Sequence, residues 1–272
     1  MYAGARDAIT PVILTLNEDA NIRSTLESLS WARRVIVLDS GSTDRTEAIA
    51  KTFPNVDWMV RRFDSHGEQW HDALTQHAVA TEYTLALDAD MRVSDDLLRE
   101  IESAFLDRRF AGAMIPFEFR VYGRALAGTL CPPQLRLFRP GRVRISQPGH
   151  TQCFTVDGPV YDFTARLIHD DWKPLDLWLA SQLRYSRLER ARLEGPAHSG
   201  WKDLLRRFGV MPPIAAAAAY LRAGGPFGGP QARFYASQRL TYECLLQLQL
   251  LEGRLTKSTA NAPAAETDRR PI

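Results

Sequence analysis

Two short stretches carry residues that could do chemistry. In "LALDADMRV", residues 85–93, Asp88 and Asp90 stand with one small residue between them at the end of an apolar run. An Asp-x-Asp pair can hold a hard divalent cation through its carboxylate oxygens, and the cation in turn neutralises phosphates. In "VIVLDSGSTDRT", residues 35–46, a run of aliphatics ends in Asp39, followed by Ser40, Gly41, Ser42 and Thr43. An acid at the tip of a buried strand suits hydrogen bonds from a ribose hydroxyl or a base N–H. A small, glycine-containing turn lets the backbone approach a ligand closely. "TLNED" at 15–19 and "DSHGEQW" at 64–70 add further polar groups after two more apolar runs. Together the four stretches describe a nucleotide-diphosphate site. The G-x-G-x-x-G dinucleotide signature and the Walker loop are both absent, so the phosphates are expected to meet a metal and not a glycine-rich helix start.

The elements that must position these residues alternate regularly. Apolar runs at 11–16, 34–39, 56–61, 82–88 and 111–117 are separated by helix-like segments at 20–29, 44–52, 68–80 and 94–107. Strands that are apolar throughout are buried on both faces, as in a parallel sheet covered by helices. The alternation predicts an α/β domain with a Rossmann-like, mostly parallel central sheet. Ligands of such sheets bind beyond the carboxyl ends of the strands, where Asp39, Asp88 and Asp90 fall. Ser94 precedes two acids and an apolar stripe, an N-cap signature. Ser42 or Thr43 can cap the helix after Asp39. Beyond residue 120, "QLRLFRPGRVRI" (134–145) reads as two strands joined by a Pro-Gly turn, 174–195 as an Arg-rich helix, and 231–252 as a last helix.

The chain has 272 residues, 45% hydrophobic and 24% charged, an ordinary core-forming composition. A net charge of +2 gives no argument for nucleic acid. Cys131, Cys153 and Cys244 lie far apart in no zinc spacing and read as reduced thiols of a cytosolic protein. The amino terminus lacks a signal-peptide pattern, and no apolar run reaches the ~20 residues of a membrane span.

"ILTLNEDANIRSTLESLSWARRVIVLDSGSTDRTEAIAK" followed by "EYTLALDADMRVSDDLLREI" resembles the inverting glycosyltransferases of family 2, which have the GT-A fold. The likeness is nearest to the branch that attaches β-linked sugars to the lipopolysaccharide core. It is specific over 10–107 and looser through "LIHDDWKPLDLWLASQLRYS" to about residue 252. The resemblance implies a catalytic domain over 8–195 and a helical, membrane-associating extension over 196–252, while the polar, Pro/Ala-rich composition of 253–272 reads as a disordered tail. It implies that Thr15, Asn17, Glu18, Asp39, Ser40, Gly41, Gln69, Asp88 and Ala89 bind the nucleotide, with Asp39 on the uracil–ribose part. Asp88 and Asp90 would be the Asp-x-Asp ligands of Mg2+ or Mn2+, Asp90 more directly, and His169 would complete the metal shell. The donor would be a UDP-hexose and the acceptor a lipid-linked glycan reached at the inner face of the cell membrane.

This chain departs from that pattern at three places. Met91 stands where an acid is usual after Asp-Ala-Asp. Gln69, Trp70 and His71 replace Gln-Lys-Asn, so a lysine that would meet the diphosphate is missing; Arg61, Arg62 and His71 are candidate substitutes among which sequence does not choose. "PGHTQ" has His150 followed by Thr151 where the branch has a His-Glu pair. With no glutamate to take the acceptor's proton, His150 is the candidate base, and Asp157 and Asp162 are others. A non-catalytic or weakened relative that binds a nucleotide sugar is the alternative reading. A nucleotidyltransferase would need a glycine-rich basic loop where "TLNEDANIR" stands. The uncharged run 208–221, flanked by Arg206, Arg207 and Arg222, suits either a core helix or an interfacial one. The resemblance favours peripheral membrane contact.

Overall fold

The structure, a computed structural model, describes residues 2–75, 79–146, 152–195 and 200–260. The first half alternates as expected: helix α1 (Ala3–Ala8), β1 (Ile9–Thr15), α2 (Ile22–Glu27), β2 (Val35–Asp39), α3 (Thr46–Ala50), β3 (Val56–Val60), α4 (His66–Thr75) and β4 (Tyr83–Asp88). β5 (Met91–Arg92) and α5 (Asp95–Glu100) follow, then β6 (Gly112–Ile115), β7 (Phe117–Val121), β8 (Arg124–Ala125) and β9 (Gln134–Phe138). The second half holds β10 (Val143–Ser146), β11 (Cys153–Val156), β12 (Val160–Asp162) and β13 (Leu167–His169). It ends in α6 (Leu175–Glu194), α7 (Trp201–Arg207), α8 (Met211–Arg222) and α9 (Gly229–Ala260).

The main sheet has seven strands in the order β12-β6-β9-β4-β1-β2-β3. All its neighbours are parallel except β9, which runs antiparallel between β4 and β6. β1, β2 and β4 are buried almost throughout, which is why each is aliphatic along its length. Helices cover both faces: Ile13, Val37 and Leu87 pack toward Ile22, Leu97 and Phe105, and Val12, Ile36 and Ala86 toward Trp70.

Three local expectations are revised. The apolar run 111–117 is two strands, not one. Pro116 has no N–H for the ladder, and the chain passes there from the main sheet into a second sheet ordered β5-β13-β7-β8. β9 and β10 do not pair with each other. A 3-10 turn, Pro140–Arg142, sends β10 away to pair with β11. The last helix runs to Ala260, so the first residues of the expected tail are helical. The helix start near Asp39 also differs: Asp44 Oδ1, not Ser42 or Thr43, accepts from Thr46 N–H at 2.9 Å. Ser94 does cap α5, accepting from Leu97 N–H at 3.2 Å.

α6 belongs with the carboxyl-terminal helices, packing on α9 through Leu193, Leu246 and Leu250. α8 has one buried and one exposed face. Ala215 and Ala219 are buried four residues apart, Ala219 packing in a cluster with Ala232 of α9, while Ile214 and Leu221 face outward. Cys131, Cys153 and Cys244 are free thiols.

Glu100, at the end of α5, anchors the segment between β12 and β13. Its carboxylate accepts from Tyr161 Oη at 3.0 Å, Thr164 N–H at 3.0 Å, Thr164 Oγ1 at 2.9 Å and Ala165 N–H at 2.7 Å. Partial burial works to raise this carboxyl, and the hydrogen bonds outweigh it and hold it below the ordinary glutamate value of 4.5. Glu100→Ala is expected to cost about 2 kcal/mol, a lowering of the melting temperature by roughly 4–8 °C. A folded-state pKa below the unfolded one means stability present above about pH 4.5 and lost as pH falls through the folded value. The gap between wild type and variant, followed by thermal melts, should therefore close in acid.

Candidate donor site

Strand register places the chemistry. Thr15 pairs with Asp39 across β1 and β2, and Leu14 pairs with Asp88 across β1 and β4, so three strand ends stand level. The loops beyond them are tied together. Asn17, in the left-handed region at φ 54°, donates its N–H to Ser42 Oγ at 2.8 Å, and its Oδ1 accepts from Thr43 N–H at 2.8 Å. Asparagine tolerates that backbone conformation better than other residues with a Cβ. Glu18 N–H donates to Thr46 Oγ1 at 2.8 Å.

Asp39 is 2% exposed and turned into its own loop. Its Oδ2 accepts from Gly41 N–H at 2.8 Å and Ser42 N–H at 2.7 Å, and its Oδ1 accepts from Ser42 Oγ. The acid thus organises the Ser-Gly-Ser turn in this structure, and Ser40 presents itself to the cavity in its stead. Gly41 has φ 97°, which the turn requires, and lies outside the cavity lining. Gln69 is 1% exposed and donates from Nε2 to Ser40 Oγ at 3.1 Å and to the Arg61 carbonyl at 3.0 Å.

The two carboxylates of the Asp-x-Asp pair are in different states. Asp88 Oδ2 accepts from Arg136 Nη2 at 3.1 Å. Desolvation works to raise its carboxyl, and the charge and hydrogen bond of Arg136 outweigh that and hold it low. Asp90 pairs with no arginine among the described residues. Burial pushes its carboxyl up, against the pull of His169, whose Nε2 stands 3.4 Å from Asp90 Oδ2. His169 is held there by β13, which pairs His169 with Met91 on one side and with Phe119 on the other. Its ring stacks on Phe119 at 4.3 Å. Asp90 Oδ1 is buried with no hydrogen-bond partner among the described residues.

These loops wall a cavity of about 470 Å3. Of the predicted residues, Thr15, Asn17, Glu18, Ser40, Gln69, Asp88, Ala89, Asp90 and His169 line it; Asp39 and Gly41 do not. Among the described residues, three lining side chains carry a buried polar atom without a partner: Thr15 Oγ1, Gln69 Oε1 and Asp90 Oδ1. Buried polar atoms are satisfied in the great majority of cases, so three orphans in one cavity mark a place where a polar ligand belongs. Asp90 and His169 fit a divalent cation, whereas Asp88 is committed to Arg136. Among the described residues, no group of three or more His, Cys, Asp or Glu stands close enough to hold an ion as the side chains are placed.

Sequence reasoning passed over one lysine that the fold brings to the cavity. Lys173 lines the cavity and pairs with Glu18. Burial works to lower its ammonium, and the charges of Glu18, Asp171 and Asp90 outweigh it and raise it. His66 and Arg184 line the same cavity. The signal was present in "LIHDDWKPLDLWLASQLRYS", whose Lys173 lies four residues past His169. Of the suggested substitutes, Arg61 and Arg62 do not line the cavity, and Arg61 is engaged by Asp64 at 2.7 Å. His71 does not line it either, nor do Asp157 and Asp162, the latter being exposed at the end of β12. His150 and Thr151 lie outside the described residues.

An α/β sheet whose strand ends carry an Asp-x-Asp pair, backed by a helical carboxyl-terminal layer, has the organisation expected of a GT-A protein. The glycosyl transferase family 2 model matches residues 10–150, and the chain belongs to that family. It is 28% identical over 232 residues to the lipopolysaccharide core biosynthesis glycosyltransferase LpsC of Rhizobium meliloti (strain 1021), covering 79% of this chain and 82% of that one. Among solved structures it is similar to S. aureus TarS in complex with UDP, at 12% identity and a TM-score of 0.48, over 90% of this chain and 92% of that one. It is also similar to glucosyl-3-phosphoglycerate synthase of Mycobacterium tuberculosis in complex with Mn2+, UDP and phosphoglyceric acid, at 18% identity and a TM-score of 0.44, over 84% and 82% of the two chains.

Proposed function

We propose that the chain is a metal-dependent, inverting hexosyltransferase that takes its sugar from a UDP-hexose and gives it to a hydroxyl of a lipid-linked glycan. The observation that carries this reading is the cavity at the strand ends with its three unpartnered polar atoms, Thr15 Oγ1, Gln69 Oε1 and Asp90 Oδ1. The nucleoside is assigned to the side of Thr15, Asn17 and Ser40, with Asp39 acting through the turn it holds. The diphosphate is assigned to the side of Asp90, His169 and Lys173. Asp90 and His169 would hold Mg2+ or Mn2+, and the bound cation would neutralise charge on the departing diphosphate. Lys173 brings its positive charge to the same end. The acceptor's proton is assigned to His150 on its place in the sequence. The relationship to LpsC, named for lipopolysaccharide core biosynthesis, supports a glycan of the cell envelope as acceptor.

Calorimetric titration with UDP, with and without Mn2+, tests the donor site. Binding that requires the metal is the expected outcome. No binding under either condition would sink the transferase reading.

No helix among the described residues is long and apolar enough to cross a membrane. The stretch from α7 to α9 instead exposes Trp201 (65%), Phe208 (74%), Leu221 (68%) and Phe227 (97%), with Lys202, Arg222 and Arg233 also exposed. Aromatic and aliphatic side chains among cations suit an anionic lipid interface. Phe227→Asp is expected to weaken sedimentation with vesicles containing phosphatidylglycerol by about tenfold, with no loss of UDP binding. Equal sedimentation of the two proteins would remove Phe227 from the contact.

A further inference from the structure

A second cavity of about 190 Å3 opens beside the donor site. It lies between the β7–β8 hairpin on one side and α6 and α9 on the other. It shares His169, Asp171, Trp178 and Gln182 with the larger cavity, so the two are continuous at the place where the donor's sugar would emerge. Its walls are mostly rings. Phe119, Tyr122, Trp178, Phe234 and Tyr235 line it, and Tyr122 meets Phe234 at 5.6 Å between centroids. Two cations, Arg120 and Arg239, also line it, against one carboxylate, Asp171.

The cations differ. Arg120 Nε donates to Glu118 at 2.7 Å. Arg239 lies 3.9 Å from Glu243, whose oxygens are already taken by Arg206 at 2.7 Å and 3.0 Å. Arg239 packs over the Tyr242 ring at 5.6 Å, and its Nε is buried without a hydrogen-bond acceptor among the described residues. Arg239 thus keeps a loose ion pair with Glu243 and leaves the Nε edge of its planar fork open to an oxyanion. Ring-lined walls with a single such group describe a site for one pyranose-sized ring bearing an anion.

We infer that this cavity is the acceptor subsite and that it takes an acidic sugar, carrying a carboxylate or a phosphate, with Arg239 as the anion's partner and Phe234 and Trp178 against the ring. The inference rests on the donor reading of the larger cavity. Among the described residues that line the cavity, Asp171 is the one carboxylate that opposes an anion, and its Oδ1 accepts from Asn21 Nδ2 at 2.9 Å and Lys173 N–H at 3.0 Å.

Saturation-transfer NMR on the full chain with glucuronic acid, glucose 6-phosphate and glucose tests it, with UDP and Mn2+ titrated into the same samples to report the donor site separately. At least one acidic sugar should bind about tenfold more tightly than glucose. Arg239→Gln should erase that preference, and Phe234→Ala should weaken all three sugars. Whichever acid is preferred identifies the anion as carboxylate or phosphate. Equal binding of the three, a preference that survives Arg239→Gln, or no sugar binding by protein that takes up UDP would each overturn the proposal. Acidic-sugar binding by protein that ignores UDP would overturn the acceptor role and, separately, the donor reading.

Discussion

Asp90→Asn is expected to lower metal-dependent UDP affinity by about 10²-fold and turnover of a UDP-sugar by about 10³-fold, or about 4 kcal/mol of transition-state stabilisation. The melting temperature should hold or rise. The reason lies in how the carboxylate is kept. Its side chain is 13% exposed, its Oδ1 has no partner, and burial already disfavours its ionised form. A buried polar atom left unpaired costs free energy in the folded protein, so its presence calls for a ligand to offset that cost. The amide keeps the shape and removes the charge. Asp88→Asn should behave differently. It releases Arg136, 5% exposed at its side chain, from its ion pair, and stability should fall along with activity. Parallel calorimetry and thermal melts separate the two. Full UDP affinity in Asp90→Asn would overturn the assignment of the metal to this residue.

The largest effect on stability is expected from Arg206→Met. Arg206 donates to Glu243 at 2.7 Å and 3.0 Å and to Glu189 at 2.9 Å, while Arg192 bridges Glu189 and Asp203 at 2.8 Å and 2.7 Å. Glu243 is 1% exposed, so the network is a buried one linking α6, α7 and α9. Removing its central cation leaves Glu243 desolvated, with Arg239 3.9 Å away as its remaining cation. Breaking one partner of such a network costs about 3–5 kcal/mol, which for a chain of this size lowers the melting temperature by roughly 6–20 °C. The double variant Arg206→Met with Glu243→Met should recover much of the loss, because the uncompensated charge is gone. The consequence reaches the site. α6 supplies Trp178 and Gln182 to both cavities, so loosening the helical layer should weaken sugar binding before it affects the sheet. A single variant as stable as wild type would show that the network contributes nothing net.

The alternation of strands and helices through residue 100 was legible because each element announces itself locally. Aliphatic runs buried on both faces cannot be mistaken for surface, and Ser94 caps its helix as its sequence implies. The same held for the position of Asp39, Asp88 and Asp90 at strand ends, since period and length alone determine where a strand stops. What local pattern could not supply was pairing between distant segments. Nothing in "QLRLFRPGRVRI" says that β9 inserts between β4 and β6, or that β10 leaves to join β11, because turn residues report a change of direction and not a partner.

The site divides the same way. The residue types were sufficient to identify the family and to nominate residues of which nine line one cavity at the strand ends. Only the tertiary structure decided which side chains are spent on each other and which are left open. Asp39 is occupied by its own turn and Asp88 by Arg136, 48 residues away, whereas Asp90 keeps an open oxygen and meets His169 through a strand contributed by the second sheet. Lys173 lines the cavity although no lysine stands after β3, because β13 ends four residues before it and carries it there. Sequence period determines the face and end of an element on which a group sits; hydrogen bonding and charge are satisfied between elements, and that accounting exists only once the chain has folded.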